Sequence, residues 1–319
     1  MPARQIQLIR VGSRRDKDPT LTLSLRNRFI RDYTRRFRSI SAQLRTRIVT
    51  DRFFGGQSVS ANNSTENNLT TNIYEYPVSS QKVSEFMGYV NSLIEAGIFE
   101  RAIVFGAGNP NQQIWANTYI LSSYRQGLER SNSDLRRMGF SRFLAEPEFS
   151  FGAFLSAPVH IDALRTAYTR QYETLRGITS EMSAQISHVL TTGIAEGRSP
   201  SELARMISNR IDKIGITRAK RLARTEVVRT YNVAAIANYQ QLDNLITDDL
   251  QIQWWTALDE RVRGRHRAWH GDIISFIEAM RRIGEPNCRC ALLPYIESIN
   301  AGESLNIPDP GWRTRTPES

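Results

Sequence analysis

Cysteine is scarce: the chain has two among 319 residues, Cys288 and Cys290. A one-residue spacing is too close for an ordinary disulfide framework, so a disulfide-stapled scaffold is excluded. A reducing assembly site fits better, with the thiols free or bound to metal. Long apolar runs are missing as well. No stretch of about 18 apolar residues occurs, so no transmembrane helix or other membrane anchor is expected. No apolar segment follows the basic N-terminus, so no signal peptide is expected, and the acceptor-like Asn63-Ser64-Thr65 and Asn68-Leu69-Thr70 carry no glycosylation reading. Gly106-Ala107-Gly108-Asn109-Pro110 lacks the Gly-Lys-Ser/Thr that a phosphate loop needs and reads as a turn.

Acidic residues are few at the start of the chain. Residues 1–50 carry thirteen Arg or Lys against Asp16, Asp18 and Asp32, which accounts for the whole formal charge of +10. The remainder is neutral overall, so the basic character belongs to one arm. Twelve of those thirteen cations are Arg, whose planar fork recognises phosphate or carboxylate bidentately.

With 40% hydrophobic and 23% charged residues, the chain can bury real cores and form two or three modest domains. The reading is a mainly α protein: a multi-helix N-terminal and central region with a small α+β C-terminal module. Residues 1–53 form a basic arm and amphipathic helix. Residues 54–80 are a polar excursion, a long loop or hairpin. Residues 81–245 are a helical body, 246–297 a small α+β module, and 298–319 an extended tail.

Within the arm, Asp18-Pro19 begins an extended or capping segment. A helix follows from about 20 to 50, with Phe29, Tyr33, Phe37, Ile40, Leu44 and Ile48 on one stripe. Arg26, Arg28, Arg31, Arg35, Arg36, Arg38 and Arg45 are the candidate contacts for DNA phosphates or an acidic partner surface. A solvated helix face and membrane-surface binding are the alternatives. In the body, helical spacing covers residues 80–98, 111–130 and Val159 to Gly193. Ser199-Pro200-Ser201-Glu202 opens a short helix, and Gly215-Ile216-Thr217 is expected to end that connection. His160 and His188, each alone in helical context, read as structural.

The stretch from Arg218 to Pro294 organises the chain. Its first half is a helix containing Ala223-Arg224-Thr225-Glu226. Leu222, Ala223, Val227, Tyr231, Ala234 and Ala237 give it an apolar face of small residues that admits another helix closely. Glu226 lies near that face, where an unpaired carboxylate is costly, so Arg224 and Glu226 are assigned to a structural ion pair, with Arg229 or Lys220 as other possible partners. The second half concentrates His266, His270, Cys288 and Cys290. Trp254-Trp255 reads as a strand, Asp259 as the N-cap of a helix over 260–270, and Ala291 to Pro294 as another strand. On that helix His266 and His270 would share a face.

Two imidazoles and two thiolates would make a closed, structural zinc site. Three readings stay open: structural zinc, metal-free thiols packed in a small core, and a catalytic metal with Asp259, Asp272 or Glu285 as base.

The Ala-Arg-Thr-Glu helix followed by Trp254-x-x-Ala257-x-Asp259-x-Arg261-Val262, His266, Gly271 and Asn287-Cys288-Arg289-Cys290 resembles the minor head proteins of tailed bacteriophages, the head-morphogenesis family typified by the F protein of phage Mu. A looser likeness reaches Trp115-x-x-Thr118-Tyr119, Arg125-Gln126-Gly127 and Asp18-Pro19-Thr20. The resemblance implies a structural, non-enzymatic virion protein near the portal, assembled in the host cytoplasm. Its partners would be the portal protein and major capsid or scaffold proteins. Its role would be head assembly, DNA packaging or DNA ejection. The resemblance also supports the His266, Cys288 and Cys290 set. The rival class is a metal-dependent nuclease or other hydrolase built on the His/Cys block. An ADP-ribosylating toxin is disfavoured because no Ser-Thr-Ser and Glu-x-Glu pair is evident. Some relatives carry a fused toxin domain after the block, and residues 301–319 are too short for one.

Overall fold

The computed structural model describes residues 14–60, 72–77, 80–105, 110–141, 144, 151–244, 246 and 250–300. Arg4, Arg10, most of the polar excursion, the Gly106–Asn109 turn and the expected tail from 301 onward lie outside the described residues. The protein is mainly helical. Its helices are α1 (Arg14–Lys17), α2 (Leu23–Arg45), α3 (Ser80–Gly97), α4 (Asn117–Arg137), α5 (Phe151–Ser156), α6 (Pro158–Ala195), α7 (Pro200–Arg210), α8 (Thr217–Asp243), α9 (Gly264–Ala268), α10 (Phe276–Arg282) and α11 (Glu297–Asn300). The strands are β1 (Gln57–Ser60), β2 (Asn72–Glu75), β3 (Gln251–Trp255), β4 (Ile273–Ile274) and β5 (Ala291–Tyr295). The small α+β module falls at the C-terminal end, as the sequence indicates.

The chain divides into two compact units. One comprises Met1–Asn27, Ile103–Thr169 and Arg224–Ser319; the other comprises Arg28–Ala102 and Arg170–Ala223.

In the second of these units, the α2 stripe is the core. Phe29, Tyr33, Phe37, Ile40, Leu44 and Ile48 are all buried, as are Phe86, Val90 and Ile94 of α3 and Leu175, Met182, Ile186 and Leu190 of α6. The helix α2 continues into a π-helical turn at Thr46–Thr50. The polar excursion is pinned by an antiparallel hairpin, with Gln57 opposite Glu75 and Ser60 opposite Asn72. Gly197, at φ +65°, ends the α6 connection and accepts from Tyr74 N–H at 3.0 Å. Ser199 and Glu202 then form a reciprocal capping box with Pro200 in the first turn of α7. The expected break at Gly215 does not occur. A π-helical turn, Ile211–Ile216, carries α7 into α8 instead. The glycine serves close packing: a Cβ there would lie 2.7 Å from the Phe37 ring and 3.0 Å from Met182 Sδ.

In the other unit, α4 lies directly on α8. A Cβ on Gly127 would fall 2.3 Å from the Tyr231 carbonyl oxygen and 2.8 Å from Ala234 Cβ. Ser123 donates to the Val227 carbonyl at 2.5 Å, and Asn238 Nδ2 donates to Ser131 at 2.7 Å. This is the close helix approach that the small residues of α8 foretell. The helix α4 begins at Asn117 rather than at residue 111. His160 is fully buried with its Nδ1 2.6 Å from the Tyr124 hydroxyl, whereas His188 is exposed.

Candidate functional site

The C-terminal module is a three-stranded antiparallel sheet in the order β4-β3-β5. Its register runs from Gln251 opposite Tyr295 to Trp255 opposite Ala291. Cys290 therefore stands at the mouth of the sheet, one residue before β5 and level with the end of β3. The alternation on β3 turns Ile252 and Trp254 inward, while β5 is buried throughout from Ala291 to Pro294.

The sheet docks on α8 through polar contacts the sequence did not reveal. Asn232, 2% exposed, donates to the Cys290 carbonyl at 2.9 Å and accepts from Leu292 N–H at 3.1 Å. Thr225 Oγ1 accepts from Asn287 N–H at 3.1 Å. Gly284, at φ +96°, passes so close over Arg229 that a Cβ would sit 2.9 Å from its Cδ. These contacts place the Glu285–Asn287 turn and fix where the cysteines fall.

His266 arrives from the other side on α9. Its Nδ1 lies 3.5 Å from Cys288 Sγ and 3.4 Å from Cys290 Sγ. Its Nε2 donates to Glu285 Oε2 at 2.8 Å. Glu285 is held in turn by Arg265 at 2.6 Å and Arg263 at 3.5 Å. Trp269 stacks on the imidazole and Trp254 meets it edge-on. The three ligand-type side chains are 2%, 7% and 3% exposed for His266, Cys288 and Cys290. Neither thiol is in a disulfide.

The electrostatics follow from this geometry. The Cys288 thiol is drawn down by the hydrogen bond from Cys290, helped by His266 and the Cys290 N–H, against burial. Cys290 is pushed far up by its contact with Cys288 and by burial. His266 is raised, chiefly by its hydrogen bond to Cys288 and then by Glu285, against burial. Burial alone would raise Glu285, but hydrogen bonds from Arg265 and His266 hold it below the usual carboxylate range.

His270 is not among the convergent ligands. The helix expected over 260–270 is only Gly264–Ala268, so His270 lies beyond its end. There its Nδ1 accepts from Thr256 N–H at 3.2 Å and its ring rests on Trp255. Asp259 does not cap that helix either; Arg263 occupies the N-cap position. Asp259 instead takes both guanidinium arms of Arg289, one of them at 2.8 Å, which holds its carboxyl well below the usual range. Asp272 is paired with Arg282 at 2.8 Å. Glu226 is buried and Arg224 exposed.

The arginines of α2 separate into two groups. Arg28, Arg31, Arg35, Arg38 and Arg45 are exposed. At about 100° per residue they share an arc of about 100°, opposite the buried stripe. Arg26 and Arg36 fall toward the core. Arg26 is 5% exposed and bonded to Asp18 at 2.7 Å. Asp18 also accepts from Leu23 N–H at 3.0 Å, fixing the start of the helix. Arg36 donates to the Gly97 carbonyl at 2.6 Å and pairs with Glu100 at 2.5 Å.

Fold and site together define a mainly helical protein with a His/Cys module docked on a small-residue helix. Residues 184–293, from within α6 to β5, match the family described as Phage Mu protein F like protein. The resemblance carried by the Ala-Arg-Thr-Glu helix and the His/Cys block thus holds over that region. The minor head protein GP7 of Bacillus phage SPP1 is 27% identical over 132 residues, which are 37% of this chain and 42% of that protein. An NAD(+)--arginine ADP-ribosyltransferase, EFV, of Enterococcus faecalis is 26% identical over 134 residues, 38% of this chain and 27% of that protein. The uncharacterized protein MJ0329 of Methanocaldococcus jannaschii is 33% identical over 121 residues, 37% of this chain and 18% of that protein. The chain thus spans less than half the length of each of these curated relatives. No solved structure matches it.

Proposed function

We propose that this protein is a minor head component of a tailed phage, carried in the virion and acting in head assembly, DNA packaging or DNA ejection. The observation that carries this reading is the family match over residues 184–293, alongside likeness to a minor head protein over 37% of the chain. The polypeptide does its work by docking, with the portal protein and major capsid or scaffold proteins as partners. The sheet clamped on α8 through Asn232 and Thr225 supplies a rigid module for that purpose.

The exposed arginines of α2 are the second working surface. Residues 28 to 45 span about 25 Å of helix at 1.5 Å per residue, enough to follow a phosphate backbone. Such contact is independent of base sequence and releases counterions, so it weakens as salt rises. Arg26 and Arg36 are taken out of this face because they serve the fold.

The hydrolase reading is weaker. A catalytic ion needs a position that substrate can reach, and the three convergent side chains are at most 7% exposed. The test of function is co-purification from infected cells. The expected result is recovery with portal or procapsids at a few copies per particle. Recovery free of particles, together with plasmid degradation that His266→Ala abolishes, would establish the hydrolase instead.

A further inference from the structure

We infer that His266 Nδ1, Cys288 Sγ and Cys290 Sγ bind one thiophilic divalent cation, zinc, with Glu285 as the positioning residue behind the imidazole. The three ligand atoms lie within 4.8 Å of one another. Zinc bonds of about 2.3 Å to sulfur and about 2.0–2.1 Å to nitrogen, set at tetrahedral angles, demand a nitrogen-to-sulfur separation of about 3.6 Å. The observed separations are 3.5 Å and 3.4 Å. Both nitrogen-to-sulfur separations are thus close to those of a zinc polyhedron.

Two further observations point to an ion. First, the ring orientation is fixed from behind. Glu285 is acceptor-only when ionised, so its contact with Nε2 assigns the proton there and leaves Nδ1 to face the sulfurs. A carboxylate–histidine arrangement of this kind accompanies metal-bound imidazoles. Glu285 cannot also be a ligand, because Nε2 and Nδ1 diverge from the ring. Second, the indole N–H of Trp254 and the hydroxyl of Thr256 are buried at 0% and 1% exposure without a hydrogen-bond partner. A metal-bound thiolate at Cys290 would offer such buried donors an acceptor that a neutral thiol supplies only weakly.

The set differs from a four-ligand His2Cys2 site, because His270 is not among the side chains that converge within 4.8 Å, and its Nδ1 accepts from Thr256 N–H. Three protein ligands leave one corner of the tetrahedron to water or a small ligand. On binding, the thiol protons are released to solvent. The metal would join α9 to the segment ahead of β5. This inference does not rest on the head-protein reading, and its test uses no phage particle.

The full-length protein, prepared without chelators, should contain one zinc per chain by elemental analysis. After the zinc is replaced with cobalt, the intense visible bands of tetrahedral Co(II) and a near-ultraviolet thiolate-to-cobalt band should appear. The bands should persist in His270→Ala and be lost in His266→Ala. Glu285→Gln should weaken zinc affinity about 10–100-fold. Should His266→Ala fail to fold, thiol counting on the native protein serves instead: both thiols should be shielded until a chelator is added. Protein without stoichiometric zinc that also gives no cobalt band, or a folded His270→Ala that loses the bands as His266→Ala does, would overturn the assignment.

Discussion

Asn232 holds the Cys290 carbonyl at 2.9 Å and, through its own oxygen, the Leu292 N–H at 3.1 Å. One buried amide on α8 therefore completes the backbone hydrogen bonding at the start of β5. Asn232→Ala leaves a buried carbonyl and a buried N–H with no partner, and each such orphan costs about 1–3 kcal/mol. The expected loss is about 2–6 kcal/mol, read as a lower urea midpoint with an unchanged slope. Asn232→Asp should not rescue it, since a carboxylate cannot donate to Cys290.

Glycine substitutions should move stability in opposite directions. Gly127→Ala drives a Cβ to 2.3 Å from the Tyr231 backbone oxygen, so α4 and α8 must separate. Overpacking of this kind costs about 1–3 kcal/mol or more. Gly88→Ala, on α3 with nothing within 4 Å of the new atom, should stabilise by about 0.5–1 kcal/mol. Thermal melts of the two variants against the parent check both signs.

Asp259 and Arg289 set an acid limit on the C-terminal module. The folded carboxyl is held low first by Arg289 and then by Arg261, so its folded pKa lies below the unfolded value of about 3.9. A depressed acid contributes stability that is fully present above the unfolded pKa and is lost as pH falls through the folded one. The stability gap between the parent and Asp259→Asn should be flat, at about 1.5–3 kcal/mol for a hydrogen bond to a charged group, down to about pH 5. It should narrow steadily below about pH 4. Urea denaturation of both proteins across pH 3 to pH 7 reads this directly.

The arginine face of α2 predicts a salt slope. If five phosphates are met, log K should fall against log salt with a slope of about −4 to −5 on duplex DNA. Arg31→Gln or Arg38→Gln should each reduce that slope by about one. Arg26→Gln should leave the slope alone and lower stability, because it removes the partner of Asp18. Fluorescence anisotropy on unrelated DNA sequences at several salt concentrations checks the set.

Much of this architecture was legible in residue spacing. The α2 stripe, the β3 and β5 strands and the small-residue face of α8 all follow from periodicity. Arg26 shows where reading by composition fell short. It stands three residues before Phe29 and seven before Tyr33, a core position by helical angle, yet its charge suggested the surface. His270 shows a different limit. A four-residue spacing puts two histidines together only if the helix persists, and α9 ends at Ala268. Asn232, Thr256 and the Glu285–His266 contact depend on which loops meet, and local pattern holds no record of that.

The most direct measurement of the central claim is the composition of purified procapsids and filled heads, quantified by mass spectrometry against the portal protein. The account predicts this chain at a few copies per particle, with its association lost when Asn232→Ala loosens the module. Particles that assemble and package normally with none of the chain present would contradict it.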